Sequence, residues 1–411
     1  SSHRTGTIRI ADKMSGHEPS QPGSHTFDYK HVGGRFLGLV ALALVAFGAV
    51  AFGAFTDTKQ FAFSYLFAFT FFLTICMGGL FWTLVHHAVD AEWSVVVRRQ
   101  MENIASLLVV MGILFIPLIF VAPKLWYWMT KLPGQDILLD EKWPYLTKEF
   151  FWIRAAFYFV FFTVASLWLR RNSIKQDTSG SAKYTLLNRK ITFGSLPLFA
   201  VCLTFAAIDW LMGLDYHWFS TMWGVYIFAG TALSSMCVLV LIITALRNAG
   251  YFKNVITIEH YHIMGKLMLA FTIFWAYIGF SQYMLIWYAN IPEETIYFLR
   301  RNTESWQILS TALVVGHFFV PFLLLLSNMG KKNPAFLCGM ALWILTMHLL
   351  DIYVVVLPAL HKAGVQLSWL DFACLVAIGC TLAATFLKRL GDAPLWPLRD
   401  PRLKNSIALK N

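Results

Sequence analysis

Long apolar runs alternate with short polar breaks along the whole chain. A hydrocarbon core about 30 Å thick is crossed by roughly 20 apolar residues in helical form. Ten runs meet that length: residues 36–55, 62–89, 104–122, 150–169, 191–211, 218–246, 259–289, 304–327, 334–357 and 367–387. Pro117, Pro197 and Pro321 fall inside runs, where neighbouring helices have to satisfy the carbonyls they free. The pattern predicts an all-α polytopic membrane protein of about ten transmembrane helices. Residues 1–35 are polar, rich in Ser, Gly and His, and lack the apolar core of a signal peptide, so they read as a surface arm. Residues 388–411 read as a polar tail on the same side.

Composition excludes a soluble fold: 58% of the 411 residues are hydrophobic, 13% are charged and the mean hydropathy is +0.60. Sixteen Trp and thirty-six Phe suit a chain that meets lipid and two interfaces. The six cysteines sit in or beside apolar runs without a CxxC pair, which favours buried thiols over a disulfide framework or an iron–sulfur site. Lys and Arg number 23 on the side that holds both termini and 8 on the other. The positive-inside rule then places both termini in the cytoplasm. The net charge of +11 is thereby explained by topology and calls for no nucleic-acid partner.

Ionisable side chains at membrane depth are costly, and each is a functional candidate with a partner to be found. His86 and His87 precede Asp90 by four and three residues near the cytoplasmic end of the second run, as a helix cap or a proton-uptake port. In the seventh run Glu259, His262 and Lys266 share one helical face, continued by Tyr277, and suggest a proton or water file from the cytoplasm. The ninth run carries His348 and Asp351 on one face, a pair able to share a proton, with His317 of the eighth run as a relay neighbour. On the outer face Asp209, Asp215, His217 and Asp371 read either as a proton exit or as a solvated rim. Asp209 with Trp210 and Trp218, or Tyr283, Trp287 and Tyr288, could flank a quinone. The same aromatics serve equally as interface anchors.

No run holds two His at the spacing that stacked haems require, and no Gly-rich nucleotide loop or nucleophile elbow occurs. This chain is expected to bind no metal and no cofactor of its own, with quinol as the one candidate ligand.

Three stretches carry a resemblance: DWLMGLDYHWFSTMWGVYIFAG (209–230), FSQYMLIWYANIPEET (280–295) and LVHHAVDAEWSVVVRR (84–99). They resemble the F subunit of alternative complex III, the bacterial quinol:cytochrome c oxidoreductase, within the wider family of polysulfide and nitrite reductase membrane anchors. The resemblance implies two four-helix bundles, residues 62–211 and 212–357, flanked by first and last helices in 36–61 and 358–387. Small residues at the middle of the second and sixth runs, Gly78-Gly79 and Ser234-Ser235, agree with a close crossing there. The resemblance also implies a bacterial cytoplasmic membrane and a respiratory complex. Its partners would be a homologous membrane subunit, an iron–sulfur subunit, a multihaem cytochrome c holding haem c, surrounding lipids and a terminal oxidase. In that setting the chain would scaffold the complex and provide a proton path. A transporter and a purely structural anchor are the competing readings, though no Gly/Pro-broken span recurs in matching positions of both halves.

Overall fold

The computed structural model describes residues 25–28 and 33–410, so most of the polar arm assigned to residues 1–35 lies outside the described residues. Among the described residues the chain forms helices and no strands. Among these residues ten candidate membrane-crossing elements follow one another: α1 (Gly33–Thr56), α2 (Thr58–Ala88), α3 (Val95–Leu114 with Ile116–Leu125), α4 (Lys148–Ser179), α5 (Lys183–Trp210), α6 (Trp223–Asn248), α7 (Ile258–Ala289), α8 (Glu304–Leu325), α9 (Pro334–Val356) and α10 (Trp369–Gly391). Nine are single helices long and apolar enough to cross a membrane, and α3 is a pair bent by 60°. The bend falls beside Pro117, whose ring removes a helix donor and pushes away the preceding turn.

Helices α2 to α5 pack around one another, and α6 to α9 do the same. The two bundles meet along α2 and α6. This crossing runs through the small residues: a Cβ on Gly78 would lie 2.1 Å from Ser235 Oγ and 2.3 Å from the Thr231 carbonyl. Because lipid offers no hydrophobic drive between helices, such backbone proximity and its dispersion contacts hold the bundles together. Helices α1 and α10 pair with each other and rest on α2.

Two spans depart furthest from the apolar runs. Helix α3 starts at Val95, nine residues before the predicted 104, because Arg98, Arg99 and Glu102 are buried in its first turns rather than left in a loop. Helix α4 continues to Ser179, past the predicted 169, with Arg170, Asn172, Ser173 and Gln176 buried. In both cases polar side chains are satisfied by one another, so hydropathy underestimates the helix. Helix α8 widens into a π-turn at Val314–Phe319. In that geometry the Gly316 carbonyl would bond the N–H five residues on, which Pro321 lacks. The Trp343 indole of α9 donates to it instead, at 2.7 Å.

Candidate functional site

The second bundle encloses a polar cluster within apolar walls. His317, from the π-turn, is fully buried, with both ring nitrogens unpartnered. Its ring packs 4.0 Å from that of Trp275 and 6.4 Å from that of His348, centroid to centroid. His348 meets Thr74 Oγ1 of α2 through Nε2 at 2.9 Å, while its Nδ1 has no partner. Gly230 of α6 makes room for this imidazole, since a Cβ there would lie 2.9 Å from His348 Cε1. Asp351 accepts hydrogen bonds from the Tyr226 hydroxyl and, at 3.0 Å, from Trp275 Nε1.

His317 thus stands next to His348, as the sequence suggests, but His348 and Asp351 take different partners instead of each other. One turn apart on α9, they belong to a cluster contributed by α2, α6, α7, α8 and α9. Thr74, Tyr226 and Trp275 were missed in the sequence, because Thr and aromatics are ordinary in a membrane span. Two imidazoles with open nitrogens, in one cluster with a buried carboxyl group, can pass on a proton, provided water links them.

Toward the end away from the termini the cluster continues as stacked rings. Tyr226 stacks on Trp223 at 5.8 Å and Trp218 on Tyr297 at 4.0 Å, with Arg301 lying 3.5 Å over the Tyr297 ring. Burial pushes the Tyr297 hydroxyl up to about 12, so it stays protonated. Trp218 is therefore a core residue, not one wall of an open slot. Asp215 pairs with Arg300 at the surface beside this stack.

Asp209, read from the sequence as an exit or a quinol neighbour, is held by four donors in this arrangement. Its Oδ1 accepts from Tyr145 and Arg154 Nη2, both at 2.8 Å, and its Oδ2 from Arg154 Nε and Tyr158, both at 2.9 Å. A carboxylate has about four lone-pair sites, and all four are occupied. Arg154, a cation inside the fourth apolar run, is explained by this fork. The adjacent Trp210 is buried and stacks on Phe159. Tyr283, Trp287 and Tyr288 point outward, Tyr288 being 81% exposed, which is the placement of interface anchors.

The stretch 209–224 lacks bases, but the fold supplies them: Arg154 to Asp209, Arg300 to Asp215, and Lys142, whose Nζ donates to the Tyr216 carbonyl at 2.7 Å. His217 and Tyr216 both bond Asp136 at 2.8 Å, and the hydrogen bonds from Tyr216 and then His217 pull the Asp136 carboxyl down to about 2. Asp371 closes the capping box of α10 and accepts from Ser64 at 2.5 Å. A chain then runs through Gln60 to His361, with steps of 2.9 Å.

No family model matches the chain, and no curated protein matches it.

At the end that holds the termini, His86 is not a free port. Its Nδ1 meets Ser94 at 2.6 Å and its Nε2 meets Arg98 at 2.9 Å. Arg98 also bonds Glu102 and Asp400, Arg99 bonds Glu102 and Asp177, and Arg402 bonds Asp400 and Asp90. The tail thus lies against α2, α3 and α4, with Gln100 donating to the Leu395 carbonyl at 2.7 Å. Although burial opposes ionisation of Asp400, the Arg98 and Arg402 guanidiniums hold its carboxyl below the ordinary range. Among the described residues His87 hydrogen-bonds Asn188, at 3.4 Å, and its ring meets that of His86 edge-on. Arg98, Arg99 and Glu102 precede the third apolar run and read as loop residues, and Asp400 and Arg402, some 300 residues away, gave no signal either.

On α7, Glu259 bonds Lys332 at 2.7 Å and lies 3.6 Å from His262, both of whose nitrogens lack a hydrogen-bond partner. Lys266 and Tyr277 are not part of this group: both are exposed on the outer surface of the bundle, Tyr277 by 63%. Thirteen residues separate His262 from Trp275, roughly 20 Å along a helix. Among the residues between them, the Thr272 hydroxyl turns back to the Met268 carbonyl.

Proposed function

We propose that this chain is a redox-inactive membrane subunit of a respiratory quinol:acceptor oxidoreductase of the alternative complex III kind, and that its second bundle handles protons. The observation that carries the proton-handling part is the buried cluster of Thr74, Tyr226, Trp275, His317, His348 and Asp351, which leaves imidazole nitrogens open in apolar surroundings; the assignment to such a complex rests on the resemblance of residues 84–99, 209–230 and 280–295. A merely structural polar group is normally satisfied, because an unpaired buried donor or acceptor costs about 1–3 kcal/mol. Retaining several such atoms at one place favours a role in which a proton or water visits them.

In this reading Asp351 and the His317–His348 pair form the central proton store, Glu259 and His262 stand at its entry side, and the Tyr226 hydroxyl, bonded to Asp351, stands on its outward side. Water bridges the stretch between His262 and Trp275. Oxidation of quinol occurs in the homologous membrane subunit, and its electrons pass to iron–sulfur and multihaem cytochrome c subunits and on to a terminal oxidase. The membrane is the bacterial cytoplasmic membrane with both termini inside, supported by the Lys and Arg count. Quinol binding by this chain itself is less favoured, since Asp209 is saturated and the Tyr283–Tyr288 belt is spread over the outer surface.

The test has two stages. Mild extraction from the native membrane should bring a multihaem cytochrome c, an iron–sulfur protein and a second similar membrane subunit with this chain. Asp351→Asn should then leave assembly and quinol oxidation intact while lowering protons moved per electron. An isolated, spectrally silent chain removes the complex reading, and unchanged proton stoichiometry in Asp351→Asn and His317→Gln removes the proton path.

A further inference from the structure

Away from the polar clusters, α1 and α10 leave a groove between them at the end that carries the termini. Its volume is about 450 Å³, within the range of pockets that hold small molecules. Val40, Ala43 and Phe47 of α1 and Ala384 of α10 form apolar walls, and Lys388 and Arg389 stand at one end. Helix α1 rests on α10 and α2 and leaves Leu37, Leu44 and Val45 exposed, with Leu44 also lining the groove, which is open to the outside.

The charges at its end are incompletely paired. Lys388 is exposed and meets no carboxylate among the described residues. Arg389 donates Nη1 to Asp392 at 3.2 Å, while its Nε is buried without a partner. Asp392 is the nearby acid and is shared with Arg170 at 4.0 Å. Arg35 adjoins the lining residue Phe36 on α1 and adds a third cation at this level.

We propose that this groove binds one anionic phospholipid, with an acyl chain along the α1–α10 walls and the phosphate held by Lys388 and Arg389. An apolar trough ending in two cations matches a lipid in both halves, and basic pockets between membrane helices suit anionic headgroups. Arg389, which lines the groove and keeps one N–H without a partner, retains donor capacity for a phosphate, which a guanidinium recognises through several N–H groups at once. A zwitterionic headgroup gains less, because its own ammonium is repelled by the same cations. The bound chain would fill the space that Ala43 and Ala384 leave and tie α1 to the rest of the fold.

The experiment is native mass spectrometry of the purified protein, in whatever complex it occupies, after exchange into micelles with equimolar phosphatidylglycerol and phosphatidylcholine. Wild type is expected to retain one phosphatidylglycerol at least tenfold over phosphatidylcholine. Lys388→Gln with Arg389→Gln should abolish that preference, and Ala384→Leu, which fills the groove and keeps the cations, should lower retention of both lipids. Circular dichroism melts confirm that each variant is folded. Equal retention of the two lipids by wild type, or undiminished phosphatidylglycerol preference in the double variant, overturns the proposal.

Discussion

The Arg154–Asp209 fork permits a quantitative test. Replacing Arg154 by Met keeps most of the side-chain volume but removes two charge-assisted hydrogen bonds, of 2.8 and 2.9 Å, from a carboxylate whose side chain is fully buried. At an effective dielectric constant near 20, the Coulomb attraction of two unit charges about 4 Å apart is about 4 kcal/mol. Breaking a buried pair by removing one partner costs about 3–5 kcal/mol, since the remaining charge is left unpaired. Tyr145 and Tyr158 still donate to Asp209, which places the expected loss toward the lower part of that range, about 3 kcal/mol. Arg154→Met with Asp209→Leu should cost less than the sum of the singles, because no orphan charge remains, although the two Tyr hydroxyls then lose their acceptor at about 1 kcal/mol each. Denaturant unfolding in detergent, followed by tryptophan fluorescence across the double-mutant cycle, measures both quantities. A single Arg154→Met variant within 1 kcal/mol of wild type would refute the claim that this fork fastens α4 to α5.

Further predictions follow from the other clusters. Gly78→Ala should separate α2 from α6 and cost about 1–3 kcal/mol or more, read as a lowered thermal midpoint, because the new Cβ would meet the Thr231 carbonyl, backbone that cannot move aside. Gly230→Ala should push His348 off Thr74 and reduce proton stoichiometry with little effect on assembly, read by the same proton-per-electron assay. The Asp400 carboxyl titrates below its ordinary value, so its stabilising contribution is complete above about pH 4 and fades as pH falls toward the lower folded value. Limited proteolysis of the tail should therefore be pH-independent from 5 to 8 and accelerate only in stronger acid. Arg98→Met should make the tail cleavable at neutral pH, and an uncleaved tail in that variant would show that Asp400 is not held there by Arg98.

Much of the architecture is written in the chain. Ten apolar runs specify ten crossing elements because a backbone in lipid has to satisfy its own hydrogen bonds, and a helix of about 20 residues is the local way to do so. The small residues of α2 and α6 mark where backbones meet, and the ionisable residues of α8 and α9 mark the buried cluster, since each is conspicuous in an apolar run. What the tertiary structure alone decides is partnership. Arg154 meets Asp209 across 55 residues, His348 meets Thr74 across 274 and Arg98 meets Asp400 across 302. Hydropathy is a sum over neighbours in sequence, whereas a partner depends on how far each helix is rotated and where it crosses the next. That is why Asp209, conspicuous in the sequence, proves saturated, why Tyr277 turns outward, and why Arg98 and Arg99, which resemble loop charges, lie at the centre of a buried lattice.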